Sequence, residues 1–599
     1  MAKDLEKASG KKFQKNEKGN KFNNSNKDYS SGIKFVKSEK RRSPVDGNVK
    51  NMRRLYNKLM QKSKESKKEI NKVEIVSKLM KTINGNYSEL CFKHDGCRAL
   101  QGSIKYGDKK QRAEIIKALI PHVYDLVIKK YSIYLAIKMF KYAEPKQREE
   151  IIAQAVMPKF SKLMKAANGQ MFLNFVYDNC ALPSQKALVN HYINKYLKIS
   201  EERLKTQNEN IISTEEIKSN DMIINEKQGT FDGDNVKTDL KAHLEKQLEV
   251  TVHKSFIFQA FLNKIFDYLD AKTKAYISEL FDDDLTEFLS NKAGVELACK
   301  IFTVASAKTR KKVVKKIKDN IKTLLSNETS LLFFIKIILF NDDTKLVEKY
   351  VLKPLIEQMH EEVMQNKNIL KVLMNIVTPF NPRVNNPYEN NILQYKIDSA
   401  SKKDERKRWG ENISLMLNDT FHCVNPNTKF FITDASYSAL LIELVHLLAW
   451  EEQGSEEEGA ASNTEMLKEL LGSIYSTVNI DFQNNFDDLN STLLAEKTSH
   501  FVLNRIVKSL MKGENMNAAK EEIVFDFLKK LWSVVNKNME GYLTTKGIFV
   551  IVSVLEAAKK IKKEKQFLAD LKKFNNLINT KASEKDMVGF GILNKIITG

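Results

Sequence analysis

Fourteen residues, His94–Gly107 (HDGCRALQGSIKYG), return 36 residues later in altered form as Lys130–Ala143 (KYSIYLAIKMFKYA). They return after a further 36 as Ala166–Asn179 (AANGQMFLNFVYDN). The residues behind each copy keep step: Lys110-Gln111-Arg112 ahead of Glu114-Ile115-Ile116 matches Lys146-Gln147-Arg148 ahead of Glu150-Ile151-Ile152. A fixed period between about 20 and 50 residues marks a solenoid, because one unit cannot bury its apolar face without a neighbour. The chain is therefore expected to be all-α, an α-solenoid.

The frame extends beyond these three copies. With Cys97 as the first position of a five-residue window on the unit's second helix, equivalent starts fall at Ile133, Gly169, Gln259, Val295, Leu331, Leu370, Tyr437, His500 and Ile548. Residues two, three and seven places after each start share one helix face. All thirty are apolar, from Ala99, Leu100 and Ile104 to Val550, Ile551 and Leu555, in a chain only 42% hydrophobic. They are the predicted core.

Composition narrows the function. The net charge of +23 points to a polyanionic partner. Cys91, Cys97, Cys180, Cys299 and Cys423 form no CxxC pair, which reads as reduced thiols. The N-terminus shows no apolar signal core, and the best apolar runs, Ser330–Phe340 and Ser438–Trp450, are short and carry a charge. A soluble intracellular protein is expected, with no membrane partner.

Five sections are expected along the chain. Residues 1–50 read as a disordered basic arm; residues 1–70 hold 21 Lys and Arg against 8 Asp and Glu, thirteen of the net +23. Within the arm, Lys40, Arg41 and Arg42 form a nuclear-localisation candidate. Residues 51–200 should hold a capping helix and repeats 1–3, and 201–250 an irregular repeat with a polar loop. Residues 251–390 should hold central repeats and 391–599 C-terminal ones. Pro379, Pro382 and Pro387 suggest a boundary near 380–430, and Glu451–Glu465 reads as a solvated acidic loop.

The 36-residue unit with its Cys-Arg-x-x-Gln window resembles the pumilio-homology (PUF) repeat. Thr545–Ala558 (TKGIFVIVSVLEAA) and Thr498–Val507 (TSHFVLNRIV) resemble the CPL region of one branch, the Puf-A (pumilio-3-like) proteins. The resemblance covers about residues 70–599. It implies a bent, L-shaped array of about eleven three-helix repeats, and a nucleolar role in making large ribosomal subunits. The implied partners are pre-ribosomal RNA, single- or double-stranded, together with large-subunit proteins and assembly factors. A monomer is expected.

In the code that the resemblance implies, window positions one and five touch a base edge and position two stacks beside it. Cys97, Arg98 and Gln101 match an adenine reader. In the second repeat, only Tyr134 of Ile133, Tyr134 and Ile137 can stack. The third window reads Gly169, Gln170 and Leu173. Later windows read Gln259/Ala260/Asn263, Val295/Glu296/Cys299, Leu331/Leu332/Ile335 and Leu370/Lys371/Met374, whose aliphatic edges cannot discriminate bases. Binding is therefore expected to rest on charge and shape.

The basic candidates are Lys105 and Lys141, two turns past their window starts, with Lys129, Lys130 and Lys138 flanking them. Lys308, Arg310, Lys311, Lys312 and Lys315 lie on a basic amphipathic helix expected on the outer face. Cys91, His94 and Cys97 lack a fourth ligand, so no metal and no cofactor is expected. The chain holds no P-loop, GxSxG or HExxH, and an enzyme is not expected. Two readings stay open: an RNA-binding assembly factor, or a helical-repeat protein scaffold whose basic arm only localises it.

Overall fold

The computed structural model describes residues 44–61, 71–196, 254–281, 285–396, 401–450, 457–513, 516–582 and 588–598. Lys40, Arg41, Arg42 and residues 201–250 lie outside them. The first described helix, α1 (Pro44–Met60), already begins within the expected arm, with Pro44 in its first turn, where the ring blocks no helical hydrogen bond.

The next section includes α2 (Lys72–Ile83), α3 (His94–Tyr106), α4 (Lys109–Leu119), α5 (Ile133–Tyr142), α6 (Pro145–Ile151) and α7 (Ala167–Asn179). The central section supplies α8 (Phe256–Ile265), α9 (Lys292–Val304), α10 (Ala307–Ile317), α11 (Glu328–Phe340), α12 (Lys367–Val377) and α13 (Pro387–Gln394). Then come α14 (Glu405–Val424), α15 (Ser438–Trp450), α16 (Glu457–Asn484), α17 (Ser499–Ser509), α18 (Ile548–Lys560) and α19 (Val588–Thr598). Among the described residues there is no strand.

The window helices stack into one row, each packed on the next: α3, α5, α7, α8, α9, α11, α12, α15, α17 and α18, with α1 against α3 and α19 against α18. Of the thirty predicted core residues, all are buried except Met171 and the half-buried Ala439. The row passes directly from α7 to α8. Asn174 fixes that step, donating to Lys254 O (3.0 Å) and accepting from Phe256 N (2.9 Å).

Met171 betrays a slip of one residue in the third window. At the head of the window helices α3, α5, α7, α9 and α11 a residue approaches a carbonyl six places back. A Cβ on Gly96 would lie 2.4 Å from Leu90 O, on Gly169 2.1 Å from Leu163 O, and on Gly294 2.2 Å from Phe288 O. Ser132 and Ser330 stand at the same step and donate their hydroxyls to Leu126 O and Leu324 O. Gly169 is therefore equivalent to Gly96, not to Cys97. The third window is Gln170, Met171 and Asn174, and its position two is 38% exposed. A start at Ser438 likewise puts Leu440, Leu441 and Val445, all buried, on the core face of α15.

The repeated Lys-Gln-Arg triplets close the units. Gln111 donates to Ser77 Oγ (2.7 Å) and Gln147 to Ala113 O (3.1 Å), each reaching the preceding unit. Arg112 donates to Gly107 O, and Arg148 to Lys141 O, Ala143 O and Asn179 O. Each guanidinium thus satisfies carbonyls left open at the end of a window helix.

Part of the acidic stretch is helix where a loop is expected. From Glu457 onward it belongs to the 28-residue helix α16, whose buried Leu467, Leu470, Leu471 and Ile474 dock it on the array.

Candidate nucleic-acid interface

On α3, Cys97 is buried and Arg98 exposed, with Gln101 between them in exposure. The Gln101 amide donates to Cys97 Sγ at 3.4 Å. Burial pushes the thiol above its ordinary range, against this hydrogen bond and the nearby Lys138 ammonium. Arg98 does not wait for a base: its guanidinium lies 5.1 Å from the ring centroid of Tyr56 on α1. One turn earlier, Arg53 pairs with Asp95 at 2.5 Å. One turn later, Gly102 leaves room for Leu59 and Tyr56. The Arg98 face of α3 thus holds the N-terminal cap in place.

The neighbouring face is open. Tyr134 is 47% exposed and Tyr131 70% exposed. Lys129 lies 3.9 Å from the Phe92 ring and Lys130 6.0 Å from that of Tyr131. Lys105, Lys129, Lys130 and Lys141 are exposed, and Lys138 is half-buried. Lys141 also borders a cleft of about 380 Å³ with Lys109, Arg112, Arg148 and Glu144. In the third window the polar groups are already committed: Gln170 donates to Met164 O, and Asn174 ties α7 to α8. This part of the row offers cations and stacking surfaces with little edge reading.

Beyond it the window face is covered by the chain itself. The stretch 378–395, including α13, runs back over the row from α15 toward α8. Thr378 and Arg383 meet Glu443 on α15 (3.3 and 3.4 Å). Asn385 and Asn375 of α12 exchange amide hydrogen bonds of 2.6 and 3.2 Å, both buried. Glu389 pairs with Lys371 of α12 at 2.7 Å, and Tyr388 donates to Glu296 of α9 at 2.8 Å. Lys336 of α11, fully buried, donates to Leu393 O (2.9 Å) and Tyr395 O (2.5 Å). Tyr395 reaches Asp267, past the end of α8. Glu296 and Lys371 are second window positions, and Cys299, a fifth, is buried so fully that its thiol is pushed up to about 12. The aliphatic windows are aliphatic because they carry this strap. It has no period of its own in the sequence, so the repeat frame could not reveal it.

The basic helix α10 divides. Lys308, Lys311, Lys312 and Lys315 are exposed, on a helix packed against Thr344–Leu352 by Val313, Val314 and Ile317. Arg310 is a correction: it is buried, donating to Phe302 O (3.2 Å) and Thr303 O (2.8 Å), and it lies 5.1 Å from the Phe340 ring. It stands where Arg112 and Arg148 stand in their units and closes α9 as they close theirs. Burial holds its pKa below the usual guanidinium value. It offers nothing to a nucleic acid. Cys91, of the discarded metal trio, is buried and donates its thiol to Ser88 O.

A crystal structure of human Puf-A superposes with a TM-score of 0.65 at 19% identity, covering 92% of this chain and all of that one. The chain has the PUF-repeat solenoid fold of Puf-A. Human Puf-A has also been solved in complex with DNA, with the same TM-score and identity over 93% of this chain. Among curated proteins, Pumilio homology domain family member 6 of Schizosaccharomyces pombe is 23% identical over 91% of this chain and 80% of its own length. Human Pumilio homolog 3 is 22% identical over 62% of the chain, which spans 56% of that protein. No family model matches.

Proposed function

We propose that this Puf-A-like chain binds RNA through the open window face of α3 and α5, with little base specificity, as an assembly factor for large-subunit pre-ribosomal particles in the nucleolus. One observation carries the reading. Lys129, Lys130, Tyr131 and Tyr134 lie together on the uncovered end of a row whose middle is strapped. Lysines there take phosphates and tyrosines take base faces. The Cys97/Gln101 pair adds at most a local preference, since the Arg98 stack is committed to Tyr56. Lys308, Lys311, Lys312 and Lys315 on α10 supply a second phosphate contact. Lys40, Arg41 and Arg42 direct nuclear import, and the chain works as a monomer among pre-ribosomal RNA and large-subunit proteins. That one Puf-A structure holds DNA supports a nucleic-acid ligand.

The test replaces Lys105, Lys129, Lys130, Lys138 and Lys141 with Ala in the full chain. Affinity for shuffled single-stranded RNA, duplex RNA and duplex DNA should fall alike. The slope of log affinity against log salt should flatten by roughly 0.7–0.9 for each phosphate no longer neutralised. Unchanged affinity and slope would remove this face from the site and leave the protein-scaffold reading in its place.

A further inference from the structure

The strap ends its cover at α15, and the next window helix, α17, is open. There His500, Phe501, Asn504, Arg505 and Lys508 share one face at helical spacing. Phe501 is 55% exposed, an unusual place for a large apolar ring. The Arg505 guanidinium lies 5.4 Å from its centroid. One turn on from His500, Asn504 keeps its amide oxygen buried and without a hydrogen-bond partner. His500 is anchored, its Nδ1 2.7 Å from Glu496 O and its ring 6.2 Å from Phe549. Lys508 is exposed at the far end.

We infer that α17 carries a second nucleic-acid site, one that takes a single unpaired nucleobase on Phe501 with its phosphate against Arg505 and Lys508. The inference rests on the nucleic-acid reading above and adds to it a separate, C-terminal contact. An aromatic face accepts any base by stacking, and a guanidinium beside it holds both the ring and the backbone charge. A duplex would keep its base faces inside and could not use the ring. The neighbours limit the site to one unit. On α15 the matching places hold Ala439, Ile442, Glu443 and His446, with Glu443 already engaged by Arg383. On α18 they hold the partly buried Phe549, the buried Val552 and the exposed acid Glu556.

The experiment uses the full chain and an oligouridine strand carrying 4-thiouridine, photocrosslinked and mapped by mass spectrometry. Crosslinks should fall on α17 as well as on α3 and α5. Phe501→Ala should lower the α17 yield about tenfold while leaving the α3 and α5 yields unchanged, which matches the removal of one stack. Phe501→Trp should restore it, and a fully paired strand should give none at α17. Because Phe501 is exposed, the thermal transition of Phe501→Ala should match that of the parent. Crosslinks confined to α3 and α5, or an α17 yield indifferent to Phe501→Ala, would overturn the inference and leave the proposed function standing. A chain that takes up no RNA at all would overturn both.

Discussion

The Tyr395 hydroxyl donates to the Asp267 carboxylate across 2.6 Å, although 128 residues of chain separate them. Lys300 joins the same carboxylate at 2.8 Å and lies 5.3 Å from the Tyr395 ring. This is the far anchor of the strap. It explains why the middle of a PUF-like row carries residues that no base could read.

The Lys371–Glu389 pair is the strap's most enclosed ionic contact, its side chains 14% and 12% exposed. Removing one partner leaves a charge in a poor solvent, so Glu389→Ala should cost about 3 kcal/mol, while Lys371→Met with Glu389→Leu should recover most of it. Denaturant unfolding of the single and double variants measures both. Equal losses for the two would mean that the pair matters through packing alone.

Lys336 makes stability depend on pH. Burial lowers its pKa to about 8 from the ordinary 10.5. Between those values the unfolded chain holds the proton more tightly, so stability should rise as pH increases from about 8 to 10.5. Lys336→Met should remove that rise and leave two strap carbonyls without donors, at a cost of about 1–3 kcal/mol. Unfolding midpoints across that pH range, for the parent and the variant, decide the matter.

Arg310 and Lys311 should separate structure from binding. Arg310→Ala strands the carbonyls of Phe302 and Thr303 and should cost about 2 kcal/mol, with the RNA salt slope intact. Lys311→Ala with Lys315→Ala should leave the thermal transition in place and flatten the slope. The reverse result would return Arg310 to the binding surface.

Tyr134→Ala should weaken single-stranded RNA binding by about 1 kcal/mol with the salt slope unchanged, because the ring contributes a stack and no charge. Equilibrium titration at several salt concentrations reads both quantities.

Gly169→Ala should destabilise by about 3 kcal/mol, since the new methyl would meet Leu163 O at 2.1 Å. Gly591→Ala, inside α19 with nothing within 4 Å, is the control and should stabilise by up to about 1 kcal/mol.

Much of the row was legible because its core face repeats locally: Leu100, Ala136, Ala298 and Phe334 are buried as the period requires. The third window slipped because glycine says nothing about which face it occupies. Only the carbonyl of Leu163 reveals that Gly169 heads its helix. Arg310 was misread because it sits in a run of lysines, yet the signal was present in Arg112 and Arg148, which recur at the same place in their units. The Arg98 stack on Tyr56 and the strap were out of reach for another reason. Both join segments that no period relates, and the strap's partners Asp267, Glu296, Lys336 and Lys371 look like ordinary surface charges until something lies on them.

The strap also changes how the array must assemble. A bare solenoid is held by couplings between adjacent units, so it can grow or melt one unit at a time. Here Asp267, Glu296, Lys336, Lys371 and Glu443 all find their partners in residues 378–395, binding several units to one late segment. The central units therefore form a single block that cannot be completed until that segment has been synthesised.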